Sequence, residues 1–332
     1  MKKFKRKSKL KWGVAGCGKF TEYAFLPTIQ LLRKNQVVSL FSHDKKRADE
    51  LAGKFDIQNA FSNYDDFLNS GIDCIYVASS NAHHREQVIK AAGAGKHVLC
   101  EKPLAITSKD AEEMVNACKE NNVQLAVNYV YRFNPLVRKA KELIDKQYIG
   151  KIISINLNFN INFLPGNNFR YNKALSGGGA LRDLGTHMID LLRFFGGEIK
   201  VINGFMDKLI YKTEVDDFAA AIVHFENGGY GYFNVSFNNK KAFNRIEILG
   251  HYGALSFEKL IGSRNATSKL TILKDGEAKK SFRKRAGNFH LLLKSVQNSF
   301  LKNETPLVTG YDGLVNMKLM EELESKCMIK EN

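Results

Sequence analysis

The alternation of apolar and polar stretches changes character near residue 130. Before that point, short apolar runs predict strands at 10–15, 36–41, 72–78, 97–100 and 124–128. The stretches between them predict helices, one ending at about residue 33 and others over 45–54, 84–94 and 108–121. Strands alternating with helices in this way indicate βαβ units and a doubly wound parallel sheet.

After about Pro135 the rhythm is different. A helix is predicted to run through Ile144, and residues 151–163 alternate strictly, as a strand with one wetted face does. Further strands are predicted at 200–205, 218–225, 229–237, 245–249, 254–257 and 270–273, and helices at about 180–195, 288–302 and 311–328. The pattern therefore predicts an α/β chain with two domains. They are a doubly wound domain over 1–130 and an α+β domain over 131–332 with a large, mostly antiparallel open sheet.

The composition is that of an ordinary soluble protein: 44% of the 332 residues are hydrophobic and 25% are charged. No run approaches the roughly 18–20 apolar residues that cross a membrane. "VAGC" at 14–17 resembles the end of a lipoprotein signal, but Lys9 and Lys11 interrupt the apolar segment such a signal needs. We therefore expect a cytoplasmic protein with no membrane partner.

The cysteines and the net charge indicate which ligands and partners to expect. The five cysteines are scattered and form no CxxC pair or zinc-type cluster, so we expect reduced thiols and no metal. The net charge is +16, and residues 1–9 form a basic arm that we expect to be disordered. No aromatic residues interleave with basic ones as in nucleic-acid readers, so no nucleic-acid partner is expected. The remaining positive charge favours anionic ligands.

A glycine-rich turn follows the first strand. Residues 16–21 read G-x-G-x-x-T, and glycines at Gly16 and Gly18 permit a tight turn and close approach of a pyrophosphate to a helix start. The context of strand, turn and helix is the one that a dinucleotide site requires.

The end of the second strand bears on which dinucleotide binds. A site for NAD usually has a carboxylate there, for the ribose 2′-hydroxyl. This chain has Ser42 and His43, followed by the cations Lys45, Lys46 and Arg47. We therefore favour NADP(H). Asp44 leaves NAD(H) open.

Two further stretches carry titratable groups. "GKHVLCEKPLA", residues 95–105, places an acid, an amine and a proline at the tip of an apolar strand, where charges often only mark the turn into solvent. In residues 177–190, "GGGALRDLGTHMID", Asp183 and His187 are four residues apart on one helix face, with Asp190 one turn further on. That spacing suits acid–base chemistry but equally an ordinary helix ion pair. The glycines before it permit close backbone approach.

Together these stretches resemble the glucose–fructose oxidoreductase/inositol dehydrogenase (Gfo/Idh/MocA) family of NAD(P)-dependent oxidoreductases. The resemblance runs nearly end to end. It rests on the glycine turn, "SSNAHH" at 79–84, "GKHVLCEKP" at 95–103, "YRFNP" at 131–135, "GGALRDLGTHMIDL" at 178–191 and "VDDFAAAIVHFENG" at 215–228. One departure is Ser80, where the family often has proline.

The resemblance implies an N-terminal Rossmann domain and a C-terminal domain for substrate binding and oligomerisation. It implies hydride transfer between nicotinamide and a carbinol or carbonyl carbon of a sugar, polyol or sugar derivative. Two alternatives are a dihydrodiol- or imine-type reductase and a non-catalytic dinucleotide-sensing regulator. Loss of the lysine or the histidine would favour a regulator, and this chain has both residues. The expected assembly is a homodimer or homotetramer.

The resemblance also assigns residues. Lys102 and His187 would handle the hydroxyl proton, either being the base, while Asp183 would orient them and bind substrate. Weaker substrate candidates are Asn128, Arg132, Arg170 and Tyr171. The expected cofactor-binding residues are Gly16, Gly18, Lys19, Phe20, Ser42, His43, Arg47, Ser79, Asn81, His84, Glu101 and Lys102.

Overall fold

A computed structural model describes residues 9–262, 266–285 and 287–327. Most of the predicted basic arm, residues 1–8, lies outside the described residues. The chain groups into two compact units. The first unit runs to Asn128 and resumes over Phe289–Val315, and the second unit comprises Tyr129–Asn288 and the chain from Asn316 onward.

In the described part of the first unit, six strands form one parallel sheet in the order β3-β2-β1-β4-β5-β6. This confirms the predicted doubly wound sheet. The strands are β1 (Leu10–Ala15), β2 (Asn35–Phe41), β3 (Asn59–Phe61), β4 (Cys74–Val77), β5 (His97–Cys100) and β6 (Leu125–Val127). The helices are α1 (Leu26–Ile29), α2 (Lys45–Phe55), α3 (Tyr64–Leu68), α4 (His84–Gly93) and α5 (Ser108–Glu120).

Two short elements of this unit were absent from the sequence prediction. They are β3 and α3, which are three and five residues long. Elements of this length are too short to show a hydrophobic period. The side chain of Asn63 begins α3 by accepting hydrogen bonds from the amides of Asp65 and Asp66.

The first unit is completed by the chain that returns after residue 288. Helix α9 (Asn288–Lys302) has the predicted apolar stripe. Phe300 packs on Trp12 of β1 with ring centroids 5.8 Å apart, and Asn35 donates a hydrogen bond to Gln297 Oε1 at 2.6 Å. The sequence analysis placed this stretch in the second domain, because an apolar stripe does not show which sheet it covers.

The described part of the second unit has an eight-stranded sheet in the order β14-β13-β12-β11-β7-β10-β9-β8. Among the described strands of this sheet, only β7 and β10 pair in parallel, which confirms the mostly antiparallel prediction. The strands are β7 (Ile152–Asn160), β8 (Ile199–Asp207), β9 (Phe218–Phe225), β10 (Tyr230–Ser236), β11 (Arg245–Gly250), β12 (Gly253–Glu258), β13 (Ser268–Lys274) and β14 (Lys280–Lys284).

The helices of this part of the chain are α6 (Pro135–Asp145), α7 (Lys173–Ser176), α8 (Thr186–Gly196) and α10 (Gly310–Lys326). The last of these lies close to the predicted range, whose end at 328 is outside the described residues. The sequence analysis did not predict β14, because all of its side chains are exposed and it has no alternating pattern. It also missed α7, a single turn.

The two faces of this sheet differ. Helix α8 packs on β7 and β10, where the inward side chains of Ile155, Leu157, Phe233 and Val235 are buried. The opposite face, which we call the open sheet face, carries exposed apolar side chains. They are Val201, Phe205, Ile222, Tyr230, Tyr232 and Leu249. Phe205 is 78% exposed.

Candidate functional site

The glycine turn after β1 is shaped by its two glycines in different ways. Gly16 has φ +108°, and a Cβ there would lie 2.5 Å from the backbone of Ala78 and Ser79 at the end of β4, so only glycine fits. A Cβ on Gly18 would meet nothing within 4 Å. The Thr21 hydroxyl donates to Gly16 O at 2.6 Å and holds the turn. The turn is thus closed on the Gly16 side and open above Gly18.

The next two predicted residues of this turn are placed differently. Lys19 is exposed. Phe20 packs its ring against Tyr23 and Phe289, at centroid distances of 5.7 and 5.3 Å. A π-helical turn then starts at Thr21 and continues into α1.

The polar groups after β2 are largely engaged with each other. Ser42 Oγ accepts from the amide of Asp44 at 3.2 Å, and the Asp44 carboxylate begins α2 by accepting from the amide of Arg47 at 3.1 Å. The Arg47 side chain donates to Cys17 O at 3.1 Å and pairs with Glu22. Arg47 therefore ties α2 to the glycine turn. The carboxylate nearest to the end of β2 is used as a helix cap.

The loop after β4 is fixed by His84, which is fully buried. Its Nδ1 lies 3.2 Å from both Pro103 O and Leu104 O, and its Nε2 lies 3.2 Å from Ser79 O. Burial lowers the pKa of this histidine to about 4. His84 thus joins the loop after β4 to the turn after β5, with Asn81 buried nearby in sequence. Ser79 donates from its hydroxyl to Gln87 Oε1 at 2.7 Å.

The acid at the tip of β5, which is half-buried, is hydrogen-bonded to two buried side chains. Glu101 Oε1 accepts hydrogen bonds from the hydroxyl of Tyr76 and from the amide of Asn128, the latter at 2.6 Å. Burial raises the pKa of Glu101. Asn128 Oδ1 is buried and has no hydrogen-bond partner among the described residues. Sequence reasoning missed Tyr76, because a tyrosine in an apolar strand looks like a core residue.

In the second unit, Asp183 and His187 lie on consecutive helical segments. Asp183 is in a π-helical turn, Leu181–Gly185, and Arg170 Nε lies 3.1 Å from its Oδ1. His187, in the first turn of α8, is buried among aromatic rings, with that of Tyr131 edge-on at 5.1 Å. A π-helical turn is wider than an α-helical one and occurs often at functional sites.

The glycines before this turn accommodate a part of the chain itself. A Cβ on Gly179 would lie 1.9 Å from Asp216 O. The Asp216 carboxylate accepts from the amides of Gly179 and Leu181, each at 2.8 Å. Burial raises its pKa to about 6. The close approach that the glycines permit is therefore to Asp216, within the stretch 215–228 that carried part of the resemblance.

Two predicted substrate residues have contacts inside the second unit. Arg132 is buried and makes two hydrogen bonds to the carboxylate of Asp190. The Tyr171 hydroxyl donates to Phe163 O, and the two rings stack at 5.4 Å. Substrate binding by Arg132 and Tyr171 remains a prediction, as does the assignment of the other site residues.

Within residues 9–262, 266–285 and 287–327, no group of three or more His, Cys, Asp or Glu side chains could hold a metal ion. In the same ranges, every helix is too short or too polar to span a bilayer.

Two family profiles match the chain. Residues 10–129 match an oxidoreductase family with an NAD-binding Rossmann fold, and residues 137–256 match the GFO/IDH/MocA C-terminal domain. The chain belongs to the GFO/IDH/MocA family. This confirms the resemblance, and with it an NAD(P)-dependent oxidoreductase on a Rossmann fold.

Several oxidoreductases are similar to this chain over much of its length. The dTDP-3,4-didehydro-2,6-dideoxy-alpha-D-glucose 3-reductase of Saccharopolyspora spinosa is 31% identical over 66% of this chain and 68% of that protein. The 1,5-anhydro-D-fructose reductase of Ensifer adhaerens is 28% identical over 92% of each chain. The solved aldose-aldose oxidoreductase of Caulobacter crescentus superposes with a TM-score of 0.88, at 24% identity, over 96% of this chain and 97% of that one.

Proposed function

We propose that this protein transfers a hydride between the nicotinamide of a dinucleotide and a carbinol or carbonyl carbon of a sugar, polyol or sugar derivative. The observation that carries the proposal is the network at the end of β5. Glu101, held by Tyr76 and Asn128, immediately precedes Lys102 at the sheet edge where such folds bind dinucleotides. The sugar-acting relatives above support the substrate class.

The first unit fits a dinucleotide on two counts. The space above Gly18 is open, so the glycine turn can take a phosphate, and Asn128 offers a buried oxygen that lacks a donor. When bound, the nicotinamide supplies or accepts the hydride at its C4. Oε1 of Glu101 already accepts two hydrogen bonds, and Oε2 accepts a long one from the backbone amide of Lys102 at 3.4 Å. Oε2 therefore has the remaining acceptor capacity for a ligand or for Nζ of Lys102.

We assign the cofactor preference to NADP(H). The Asp44 carboxylate caps α2, so its interaction with a ribose 2′-hydroxyl would cost the helix its cap. Ser42 and His43 are the other polar side chains at the end of β2, and neither repels a 2′-phosphate. NAD(H) remains the second cofactor to test.

Proton transfer is assigned to Lys102 and His187. An ammonium at Lys102 Nζ can donate to a carbonyl oxygen during reduction and, once neutral, can accept the hydroxyl proton during oxidation. The imidazole of His187 can do the same, and its aromatic surroundings exclude water from the ring. Arg170 fixes the carboxylate of Asp183, which is proposed to orient the reacting groups and bind substrate hydroxyls.

The proposed assembly is a homodimer or homotetramer. The exposed apolar side chains of the open sheet face come from neighbouring strands, since Ile222 of β9 pairs with Tyr232 of β10 and Phe205 of β8 pairs with Ala220 of β9. A large exposed apolar patch typically marks a protein interface. A second copy of the chain is the partner proposed for this face.

The test is a substrate panel followed through the absorbance of the reduced nicotinamide. Aldoses, polyols, anhydrosugars and nucleotide-linked keto-sugars would be assayed with both dinucleotides, beside dihydrodiols and cyclic imines. We expect turnover of at least one sugar or polyol. If only dihydrodiols or imines are turned over, the proposed sugar or polyol substrate is wrong and the protein is a reductase of that other type. Tight dinucleotide binding without turnover of any compound would favour a non-catalytic regulator.

A further inference from the structure

A groove opens on the second unit beside the turn that carries Arg170. Its volume of about 670 Å³ lies in the range of small-molecule binding sites. One wall comes from residues 165–175, between β7 and α8, and the other comes from residues 212–214, between β8 and β9. We call it the side groove. None of its lining residues takes part in the proton transfer proposed above.

One short turn, Phe169–Tyr171, connects the side groove to the residues assigned to the reaction. Phe169 and Tyr171 line the groove. Arg170, between them, has its guanidinium 4.8 Å from the centroid of the Phe169 ring and its Nε 3.1 Å from Asp183 Oδ1. Phe169, Arg170 and Asp183 thus lead from the groove to the carboxylate that is proposed to bind substrate hydroxyls.

Hydrogen bonds hold the two walls of the side groove in place. The backbone amide of Lys173 donates to Glu214 Oε2 at 3.0 Å and so joins one wall to the other. The chain that leads into the second wall is fixed by the buried carboxylate of Asp217, which accepts from the amides of residues 209–211 at 2.8, 2.8 and 2.7 Å. A site whose walls are already held loses less conformational freedom when a ligand binds.

Asparagine side chains supply hydrogen-bond donors to the side groove. Oδ1 of Asn168 and Oδ1 of Asn172 each accept a hydrogen bond at 3.1 Å from a backbone amide of their own turn, which orients the two side chains. Their Nδ2 atoms donate to no group in the described part of the chain and are available to a ligand. Asn167 adds a third amide, and Phe169 adds an aromatic ring. Amide donors beside an aromatic ring match the hydroxyls and the C–H face of a sugar ring.

The charges of the side groove favour a neutral ligand. Among the residues described as lining it, only Lys212 and Glu214 carry charges, and these cancel. A nucleotide diphosphate would bring at least two negative charges to a groove that has one cation and one carboxylate, which is unfavourable. A neutral sugar unit meets no such repulsion.

We propose that the side groove binds a second, neutral sugar unit, so that the substrates of this protein are glycosides or disaccharides rather than single or nucleotide-linked sugars. The proposal rests on the proposed function. The reacting ring binds at Asp183, and the unit joined to it by the glycosidic bond extends past Arg170 into the side groove. The hydride still moves between nicotinamide C4 and a carbon of the reacting ring, so the second unit contributes binding and takes no part in the redox step.

The experiment compares matched saccharides on the full chain with each dinucleotide. Glucose is paired with cellobiose and with maltose, xylose with xylobiose, and galactose with lactose, while UDP-glucose is the charged comparison. We expect at least one disaccharide to have a kcat/KM about tenfold above that of its monosaccharide, which corresponds to about one or two net hydrogen bonds. UDP-glucose should show no such increase. Saturation-transfer NMR on the same pairs measures binding without turnover.

Variants of the groove locate the effect. Asn167→Ala combined with Lys212→Ala removes two exposed lining side chains and should abolish the increase for the disaccharide while leaving the monosaccharide unchanged. Lys284→Ala, an exposed change on β14 at the opposite edge of the sheet from β8, is the control and should behave as the wild type. An increase that survives in the double variant would overturn the proposal, as would a preference for UDP-glucose over every neutral disaccharide.

The failure of this inference is distinguishable from failure of the proposed function. If monosaccharides are turned over and no disaccharide is better, only the assignment of the side groove is wrong. If a disaccharide binds and the double variant loses that binding, but no saccharide is turned over with either dinucleotide, the groove is a saccharide site and the proposed sugar oxidoreduction is wrong. If no saccharide binds or reacts, both are wrong.

Discussion

Arg132 donates from Nε and Nη2 to the two carboxylate oxygens of Asp190, at 2.9 and 2.6 Å, inside the second unit. Both side chains are buried. Asn316 also donates to Asp190 Oδ1, at 3.2 Å. Such a pair holds Tyr129–Phe133, where the second unit begins, against α8, and it gives Arg132 a structural role independent of any substrate.

The first prediction follows from this pair. Arg132→Leu should lower the free energy of unfolding by about 3–5 kcal/mol, because it leaves the Asp190 carboxylate buried without its cation. Arg132→Lys should recover part of that loss but not the second hydrogen bond. Urea unfolding measures both, with Arg138→Lys, an exposed position on α6, as control. Unchanged stability with a raised substrate KM would instead make Arg132 the substrate ligand that the sequence predicted.

The two glycines of the β1 turn should respond oppositely to alanine. Gly16→Ala should destabilise the fold, because its Cβ would lie 2.5 Å from the backbone after β4 at a φ of +108°. Gly18→Ala should leave thermal stability nearly unchanged, since its Cβ meets nothing within 4 Å, and should weaken dinucleotide binding. Thermal unfolding and dinucleotide titration separate the two effects. Wild-type affinity in Gly18→Ala would show that the phosphates bind elsewhere.

Lys102→Ala should reduce turnover by about 10²–10⁴, the usual contribution of a positioned acid–base group. Dinucleotide affinity should change little, because the phosphates are assigned to the glycine turn. His187→Ala should also reduce turnover, and the double variant should lose less than the product of the single losses if the two groups act together. Steady-state kinetics and cofactor binding measure this. If the Lys102→Ala enzyme turns over substrate at the wild-type rate, Lys102 is not an acid–base group and is only a charged residue at the end of a strand.

The carboxyl group of Asp216 should make the free energy of unfolding fall as the pH rises. Its pKa is raised from 3.8 to about 6 in the folded chain, so the native state binds the extra proton between these values. The stabilising contribution of this proton is complete below about pH 4 and is lost as pH rises through about 6, an effect of about 3 kcal/mol. Relative to Asp216→Asn, the unfolding free energy of the wild type should therefore fall across this window. An equal difference at both ends of the window would contradict the assignment.

The same variant has a second expected effect. Asparagine has one acceptor oxygen where the carboxylate has two, so either the Gly179 or the Leu181 amide would lose its partner. We expect a loss of about 1–3 kcal/mol near neutral pH from this alone. Gly179→Ala, which would place a Cβ 1.9 Å from Asp216 O, should be at least as destabilising.

The open sheet face should fail to self-associate when it carries a charge. Phe205→Asp places a carboxylate at the most exposed large apolar position of that face. We expect sedimentation to give an oligomer for the wild type and a smaller species for the variant. Lys200→Asp, an exposed change near the start of β8, is the control. A wild type that is monomeric at micromolar concentration would reject the proposed assembly.

Long apolar patterns predicted this fold well. β1, β2 and β5, with α2, α4 and α5, lie within two residues of their predicted ends because each shows a clear period between strong turn signals. The glycine turn was also predictable, since a tight turn between strand and helix has few sequence solutions.

What the sequence could not show is which polar group meets which. Gly179 lies against Asp216, and Arg132 pairs with Asp190, across separations of 37 and 58 residues. No local pattern encodes such contacts. Tyr76 and His83 look like core and helix start in the sequence, and only the contacts with Glu101 and with His43 and Ser80 reveal anything else.

The return of Phe289–Val315 to the first unit has a consequence for how the chain folds during its synthesis. Trp12, the chain's single tryptophan, packs against Phe300 of this late segment as well as against Phe25. The late segment also lies along the edge of β6, where Val127 donates to Val308 O. On the ribosome, β1–β6 therefore emerge without the packing of Phe300 on Trp12 and with an open strand edge, while residues 129–288 of the second unit are still being synthesised. Nascent chains should depend on chaperones during that interval, and indole fluorescence should report closure only after residue 300 has left the exit tunnel.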